Sequence, residues 1–211
     1  HKLAIDIGGT FIDVVVFDAE KKLLRAFKLP TTPHDPAEGV VAAVGKLGVP
    51  AEAISDFVHG TTLGLNAILE RKGAKVGIIT NAGFRDIFEI GRGALDFVNM
   101  YRFDYCPPPP IVERRNIAGV GGRMDFEGNE VEPLDGAAVL AAAKALFEVE
   151  GCEAIAISFL HSYANSAHER EAVELIRAQH PDGIVSAGAL LANEYREYER
   201  TSTAVLDAYI K

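Results

Sequence analysis

Asp6-Ile7-Gly8-Gly9-Thr10 stands between one apolar run, Leu3-Ala4-Ile5, and another, Val14-Val15-Val16-Phe17. Two apolar runs parted by a glycine pair predict a β-hairpin. Glycine admits left-handed backbone and close approach of a ligand, so the N–H groups of Gly8, Gly9 and Thr10 are candidates to converge on phosphate oxygens. Asp6 and Asp13 flank the turn. Hard cations take carboxylate oxygens together with substrate phosphates, so these two side chains suit Mg2+ or its water shell. The same residues also fit an ordinary hairpin with a solvated Asp on each side.

Outward from this turn the pattern predicts three short strands, 2–7, 11–18 and 23–28, forming an antiparallel meander. Pro36 sits where a helix start tolerates it, and Val40, Val41, Val44 and Leu47 recur at helical spacing, predicting a helix over 35–46. A strand over 55–59, a helix over 61–72 closed by Gly73 and an apolar strand over 75–80 together predict a parallel crossover. A short helix is expected within 83–93. Periodicity then fades, and Pro107 to Pro110 exclude helix interior or central strand. Residues 94–133 therefore read as an irregular insertion, with a hairpin within 119–132 turning at Gly121-Gly122 and Gly128-Asn129.

Regular pattern resumes with Asp135 as an N-cap and Val139, Leu140, Ala143, Leu146 and Phe147 on one helical face. A buried strand over 153–160 follows. Ser166 and Glu169 have capping-box spacing, predicting a helix to 179. A short strand at 184–185 and a helix over 193–210 complete an α/β chain whose mixed sheet begins as a hairpin meander and is flanked by helices.

Composition narrows the function. The 211 residues are 48% hydrophobic, enough for one large domain or a domain with an extension. A net charge of -9 without a Lys/Arg-rich run argues against a nucleic-acid surface, although backbone amides and a metal can still hold a nucleotide. No apolar stretch approaches the roughly 20 residues of a membrane span, and no signal-like core follows the N-terminus, so no membrane partner and a cytoplasmic location are expected. Cys106 and Cys152 lie far apart in unrelated contexts and are expected as buried thiols. His161 and His168 flank one loop but lack a metal-binding spacing. Because the chain runs from His1 to Lys211, ending just after a helix-like pattern, a fragment of a longer protein is expected.

Several motifs occur in one order: Asp6 to Asp13; His59-Gly60-Thr61-Thr62 with Asn66; Gly83-Phe84-Arg85-Asp86 leading to Gly91-Arg92; His161 to Asn165 with His168-Glu169; and Arg196 to Thr203. In this order they resemble the hydantoinase A / 5-oxoprolinase family, and the resemblance spans nearly the whole chain. It implies the amino-terminal half of an actin-like ATPase core of the ribonuclease H type, with the carboxy-terminal catalytic half absent. Gly8, Gly9 and Thr10 would contact ATP phosphates, and Asp6 would hold Mg2+ or orient water. Where the family commonly has Thr, this chain has Ile12, which removes a hydroxyl and leaves the backbone cradle.

Gly60, Thr61 and Thr62 fall where a strand passes into a helix, so free helix N–H groups and two hydroxyls offer a second anion contact. The bland alternative is that Thr61 caps the helix. The Arg196 to Thr203 run reads as a solvated helix face supporting contact with the remainder of the chain.

The resemblance implies an ATP-dependent cyclic-amide hydrolase, with Asp6 and Asp13 as its catalytic carboxylates here. Alternatives are a subunit of an ATP-dependent ketone carboxylase, a sugar-kinase-like phosphotransferase, or a module inactive alone. The implied partners are the absent half, a second subunit and a small cyclic amide or ketone.

Overall fold

The computed structural model describes residues 1–32, 34–93, 97–106 and 108–211. The expected start of the insertion at 94–96 and the first residue of the proline run, Pro107, lie outside the described residues. The chain divides into two compact units, His1–Lys72 and Gly73–Lys211.

The first unit holds the meander. Strands β1 (Lys2–Ile7), β2 (Phe11–Asp18) and β3 (Leu23–Pro30) are antiparallel neighbours, and β4 (Asp56–Thr61) runs parallel to β1, giving the order β3-β2-β1-β4. Alternation explains the register. Leu3, Ile5 and Ile7 pair across to β2 residues Val16, Val14 and Ile12, and all six point into one core. Each such buried side chain contributes about 1.5–3 kcal/mol. Helix α1 (Pro36–Lys46) covers that face. Asp35 caps it by accepting from the N–H of Ala37 at 2.9 Å and of Glu38 at 3.4 Å, and Gly39 and Ala43 are its buried positions. A short 3-10 turn (Ala51–Ala53) leads into β4. Helix α2 (Leu63–Glu70) ends not at Gly73 but at Arg71, which adopts left-handed backbone at φ 54°.

The second unit is built on a parallel sheet in the order β10-β9-β5-β6, from β5 (Val76–Asn81), β6 (Ile117–Val120), β9 (Ala154–Ile157) and β10 (Ile184–Ala187). Here the expected crossover from β4 through α2 to β5 fails, because β5 belongs to this separate sheet and pairs with β6 and β9. The parallel return in the first unit is instead β3 through α1 to β4. Strand β6, at the edge of this sheet beside β5, lies inside what reads as an irregular insertion. The hairpin is smaller than expected, β7 (Arg123–Met124) with β8 (Glu130–Glu132), turning at Gly128 with φ 86°.

Helices α3 (Ile87–Ile90), α4 (Gly136–Lys144), α5 (Ala167–Gln179), α6 (Gly188–Leu191) and α7 (Glu197–Ile210) complete the unit, and α4 widens into a π-type turn over Ala145–Val149. Asp135 caps α4 as expected, accepting from the N–H of Ala138 at 2.9 Å. Ile79, Ile155, Ile157, Val139 and Ile176 form the centre of its core. No helix among the described residues is long and apolar enough to cross a membrane.

Candidate functional site

The hairpin turn places two carboxylates side by side. Asp6 faces Asp13 across the antiparallel ladder and Gly60 across the parallel one, so β1 carries Asp6 between them. Alternation sends Ile5, Ile7, Ile12 and Val14 inward, which leaves Asp6 and Asp13 on the opposite face. Asp13 is not alone: its partner in β3 is Lys28, whose Nζ lies 3.0 Å from Asp13 Oδ1. Asp6 is exposed beside the turn.

Space, rather than dihedral freedom, explains the glycines. Neither Gly8 nor Gly9 has a positive φ, so left-handed backbone is not what requires glycine here. A Cβ on Gly8 would lie 3.1 Å from the Phe11 carbonyl oxygen, and one on Gly9 2.9 Å from Asn66 Nδ2. A Cβ on Gly60 would lie 3.2 Å from Asp6 Oδ1. The Gly8 N–H donates to the Phe11 carbonyl at 2.9 Å and so closes the turn. The Gly9 and Thr10 N–H groups take no part in this closing bond.

Two threonine segments fix this geometry. Thr31 Oγ1 donates to the Gly8 carbonyl at 2.8 Å while its N–H donates to the Thr10 carbonyl at 3.0 Å. The Thr62 N–H donates to the Ile7 carbonyl at 3.0 Å, and Thr61 Oγ1 accepts from the Leu63 N–H at 3.2 Å. Thr62 is the N-cap residue and makes no side-chain cap bond. Asn66 Nδ2 is 3.4 Å from Thr62 Oγ1. The start of α2, the glycine turn and Asp6 are therefore one arrangement within the first unit.

Thr31 and Lys28 were missed as site residues. Lys28 could have been found by pairing the expected strands 11–18 and 23–28 residue by residue, which puts it opposite Asp13, whereas Thr31 lies just past the end of β3. Ile12 is fully buried, and Gly39 of α1 leaves room for its Cδ1. A residue there serves packing.

Among the described residues no group of three or more His, Cys, Asp or Glu side chains can hold a metal. Two carboxylates fit a cation whose remaining ligands are phosphate oxygens and water.

The other motifs lie in the second unit, where several expectations need correction. Ser166 makes no cap bond; the Ala167 N–H donates to Asn165 Oδ1 at 3.0 Å, and Ser166 Oγ accepts from Arg170 Nε. Glu169 is fully buried instead, accepting from the N–H groups of Phe159 at 2.9 Å and Ala189 at 2.7 Å. Burial pushes its carboxyl above the usual range, and these N–H donors pull it back only in part.

Nor is the Arg196 to Thr203 run wholly solvated. Arg200 is fully buried and donates to the carbonyls of Glu194 at 2.8 Å and Phe159 at 3.0 Å, while Thr201 Oγ1 donates to Ser158 Oγ at 2.7 Å. Arg196 and Thr203 are exposed, and Glu197 and Glu199 are partly so. His168 pairs through Nε2 with Glu130 at 2.7 Å and His161 lies beside Tyr163, so the two histidines serve different contacts. Cys152 is buried, with its thiol pushed up by desolvation, whereas Cys106 is exposed, against expectation.

Comparison with known proteins gives this geometry a context. A family model described as "Hydantoinase/oxoprolinase N-terminal region" matches residues 2–180. The caprolactamase subunit alpha of Pseudomonas jessenii is 38% identical over all of this chain, which covers 31% of that protein. The crystal structure of that ATP-dependent caprolactamase superposes with a TM-score of 0.78 at 36% identity, over 99% of this chain and 31% of its own. A nucleotide-free acetone carboxylase structure, from work on ATP-dependent acetone carboxylation, superposes with a TM-score of 0.86 at 30% identity, over 99% of this chain and 32% of its own. The chain thus spans about a third of the length of these relatives.

Proposed function

The chain belongs to the hydantoinase/oxoprolinase family, and from that premise we propose that it is the amino-terminal part of an ATP-dependent cyclic-amide hydrolase and contributes the first phosphate-binding turn. One observation carries this reading: Asp6 stands between Asp13 and Gly60 at the mouth of a turn kept free of side chains by Gly8 and Gly9. The order β3-β2-β1-β4, three strands antiparallel and the fourth parallel, supports a ribonuclease H-like, actin-like half in the first unit.

In this reading the Gly9 and Thr10 N–H groups, with the hydroxyls of Thr61 and Thr62 and the backbone at Gly60, hold phosphate oxygens. Asp6 ligates Mg2+ or orients water, and Asp13, neutralised in part by Lys28, tunes the charge beside it. ATP, when bound, supplies the phosphoryl group that turns a poor amide electrophile into an activated one. The protein's own task is positioning and electrostatic stabilisation.

The remaining two thirds of the protein supplies the second phosphate loop. Phe57 and Val58 on β4 are 52% and 64% exposed, an apolar strand suited to cover by further chain. Caprolactamase and acetophenone carboxylase relatives are named as subunits, which supports a partner subunit here as well.

A second reading, a ketone carboxylase subunit, is favoured by the TM-score of 0.86 to acetone carboxylase. ATP turnover by the full-length protein with lactam, imide and ketone panels separates the two. Ring opening coupled to ATP consumption supports the hydrolase, and ketone- and bicarbonate-dependent turnover alone contradicts it.

A further inference from the structure

The second unit contains a cleft that the phosphate-binding turn does not use. In its sheet β5 and β9 are neighbours, but the chain leaving β5 goes to β6 on one side and the chain leaving β9 goes to β10 on the other. Open parallel sheets bind ligands outside the carboxyl ends of their strands at such a switch point. Helix α3 follows the carboxyl end of β5, where the Phe84 N–H donates to the Asn81 carbonyl. The first turn of α7 lies beside the loop after β9, where the His161 N–H reaches Glu197 Oε1 at 3.4 Å.

Between α3 and the start of α7 is a cavity of about 700 Å³ lined by Phe88, Ile90, Ile111 and Tyr198 together with the charged Glu89 and Arg92. A mostly apolar cavity of that size with a few convergent polar groups is the usual form of a small-molecule site. A smaller cleft shares Gly91, Arg92 and Tyr198 and adds Arg196, Glu197 and Glu199.

Two motifs distant in sequence meet here. Arg92 Nε donates to Glu199 Oε1 at 2.9 Å, the Phe88 and Tyr198 rings lie 6.3 Å apart, and a Cβ on Gly91 would touch the Tyr198 ring at 3.5 Å. The backbone is unusual at both contributions. Gly91 has φ 59° and ψ -128°, and Arg196, with a Cβ, is held at φ 91° and ψ 122°. Strain of this kind on a non-glycine residue costs on the order of 1–3 kcal/mol and concentrates at functional sites.

Resting on the cyclic-amide reading above, we propose that these two adjoining clefts, which share Arg92 and Tyr198, together receive the substrate ring, with Arg92 donating to the amide carbonyl oxygen and Glu199, from the smaller cleft, accepting from the amide N–H. Ring closure forces the N–H and C=O of a lactam onto one edge. A guanidinium beside a carboxylate presents donor and acceptor in that same order, and the aromatic and aliphatic walls suit the ring carbons. A ketone or an N-alkylated lactam satisfies only the donor half. A site that hydrogen-bonds a substrate group discriminates strongly against an analogue lacking it.

The test uses the full-length protein and the five- to seven-membered lactam it opens fastest, with the N-methyl form of that lactam as the probe. Arg92→Met raises KM for the lactam at least tenfold while KM for ATP stays within twofold of wild type. Wild type prefers the lactam over the N-methyl form by at least tenfold, and in Glu199→Met that preference falls towards one. Arg92→Lys, which keeps the charge but not the planar fork, gives an intermediate rise and decides the matter where Arg92→Met does not fold. Ring opening with lactam KM within twofold of wild type in these variants overturns the cleft assignment and leaves the hydrolase reading standing. Absence of lactam-dependent ATP turnover in wild type overturns both.

Discussion

Asp6 Oδ1 lies 3.2 Å from where a Cβ would stand on Gly60, its partner across the parallel β1–β4 ladder. That gap is tighter than most real Cβ contacts, so a methyl group at 60 must turn the carboxylate. Gly60→Ala is therefore expected to lower ATP turnover of the full-length protein by about tenfold or more, as misplacement of a positioned group does. Wild-type turnover in the variant, measured by phosphate release, would show that the Asp6 orientation is immaterial.

Gly9 makes a different kind of contact. A Cβ there would crowd Asn66 Nδ2, the far end of a flexible side chain that can swing aside. Gly9→Ala should leave stability within about 1 kcal/mol of wild type yet raise KM for ATP, because the methyl group projects where phosphate would approach. Denaturant unfolding and ATP kinetics on the same preparation separate the two effects.

In the second unit, a Cβ on Gly73 would fall within the buried ring of Tyr209, beside the bond from the Ala74 N–H to the Tyr209 carbonyl at 2.9 Å. Overpacking of this kind costs about 1–3 kcal/mol. Gly73→Ala should lower the denaturation midpoint accordingly, and Gly73→Ala combined with Tyr209→Leu should recover part of the loss.

Glu169 predicts a pH dependence. Its folded-state carboxyl titrates above the unfolded one because burial disfavours the charge. The folded state then binds more protons between the two values, so the contribution of Glu169 is full below the unfolded value near 4.5 and declines as pH rises through the folded one. The stability difference between wild type and Glu169→Gln, measured by urea unfolding from acid to neutral pH, should shift against wild type as pH increases. A difference independent of pH contradicts this assignment.

Strands β1 and β2 were legible because their apolar runs, Leu3-Ala4-Ile5 and Val14-Val15-Val16-Phe17, flank a glycine-pair turn. The end of β4 was not, since His59-Gly60-Thr61 has no apolar alternation and is held by pairing with β1. Strand β6 was hidden by its four residues, Ile117–Val120, too short to show a period. The carboxylate of Glu169 mimicked a capping box, although its spacing serves the N–H groups of Phe159 and Ala189 from within the core. Arg200 misled for a related reason: a charged residue among charged neighbours reads as solvated, whereas the carbonyls of Glu194 and Phe159, the Glu197 carboxylate and the Tyr163 ring hold it in the core. At the candidate site, the glycines and Asp6 were legible from their order, whereas Lys28 and Thr31 needed the register of β3.

The most direct measurement is lactam-dependent ATP hydrolysis by the full-length protein and its Asp6→Asn variant, with folding of both checked by thermal unfolding. Loss of a positioned charge at a phosphoryl-transfer site predicts a fall of about 10²–10³ in kcat with the unfolding midpoint unchanged. Wild-type kcat in a folded Asp6→Asn protein would contradict the placement of the phosphate site at this turn.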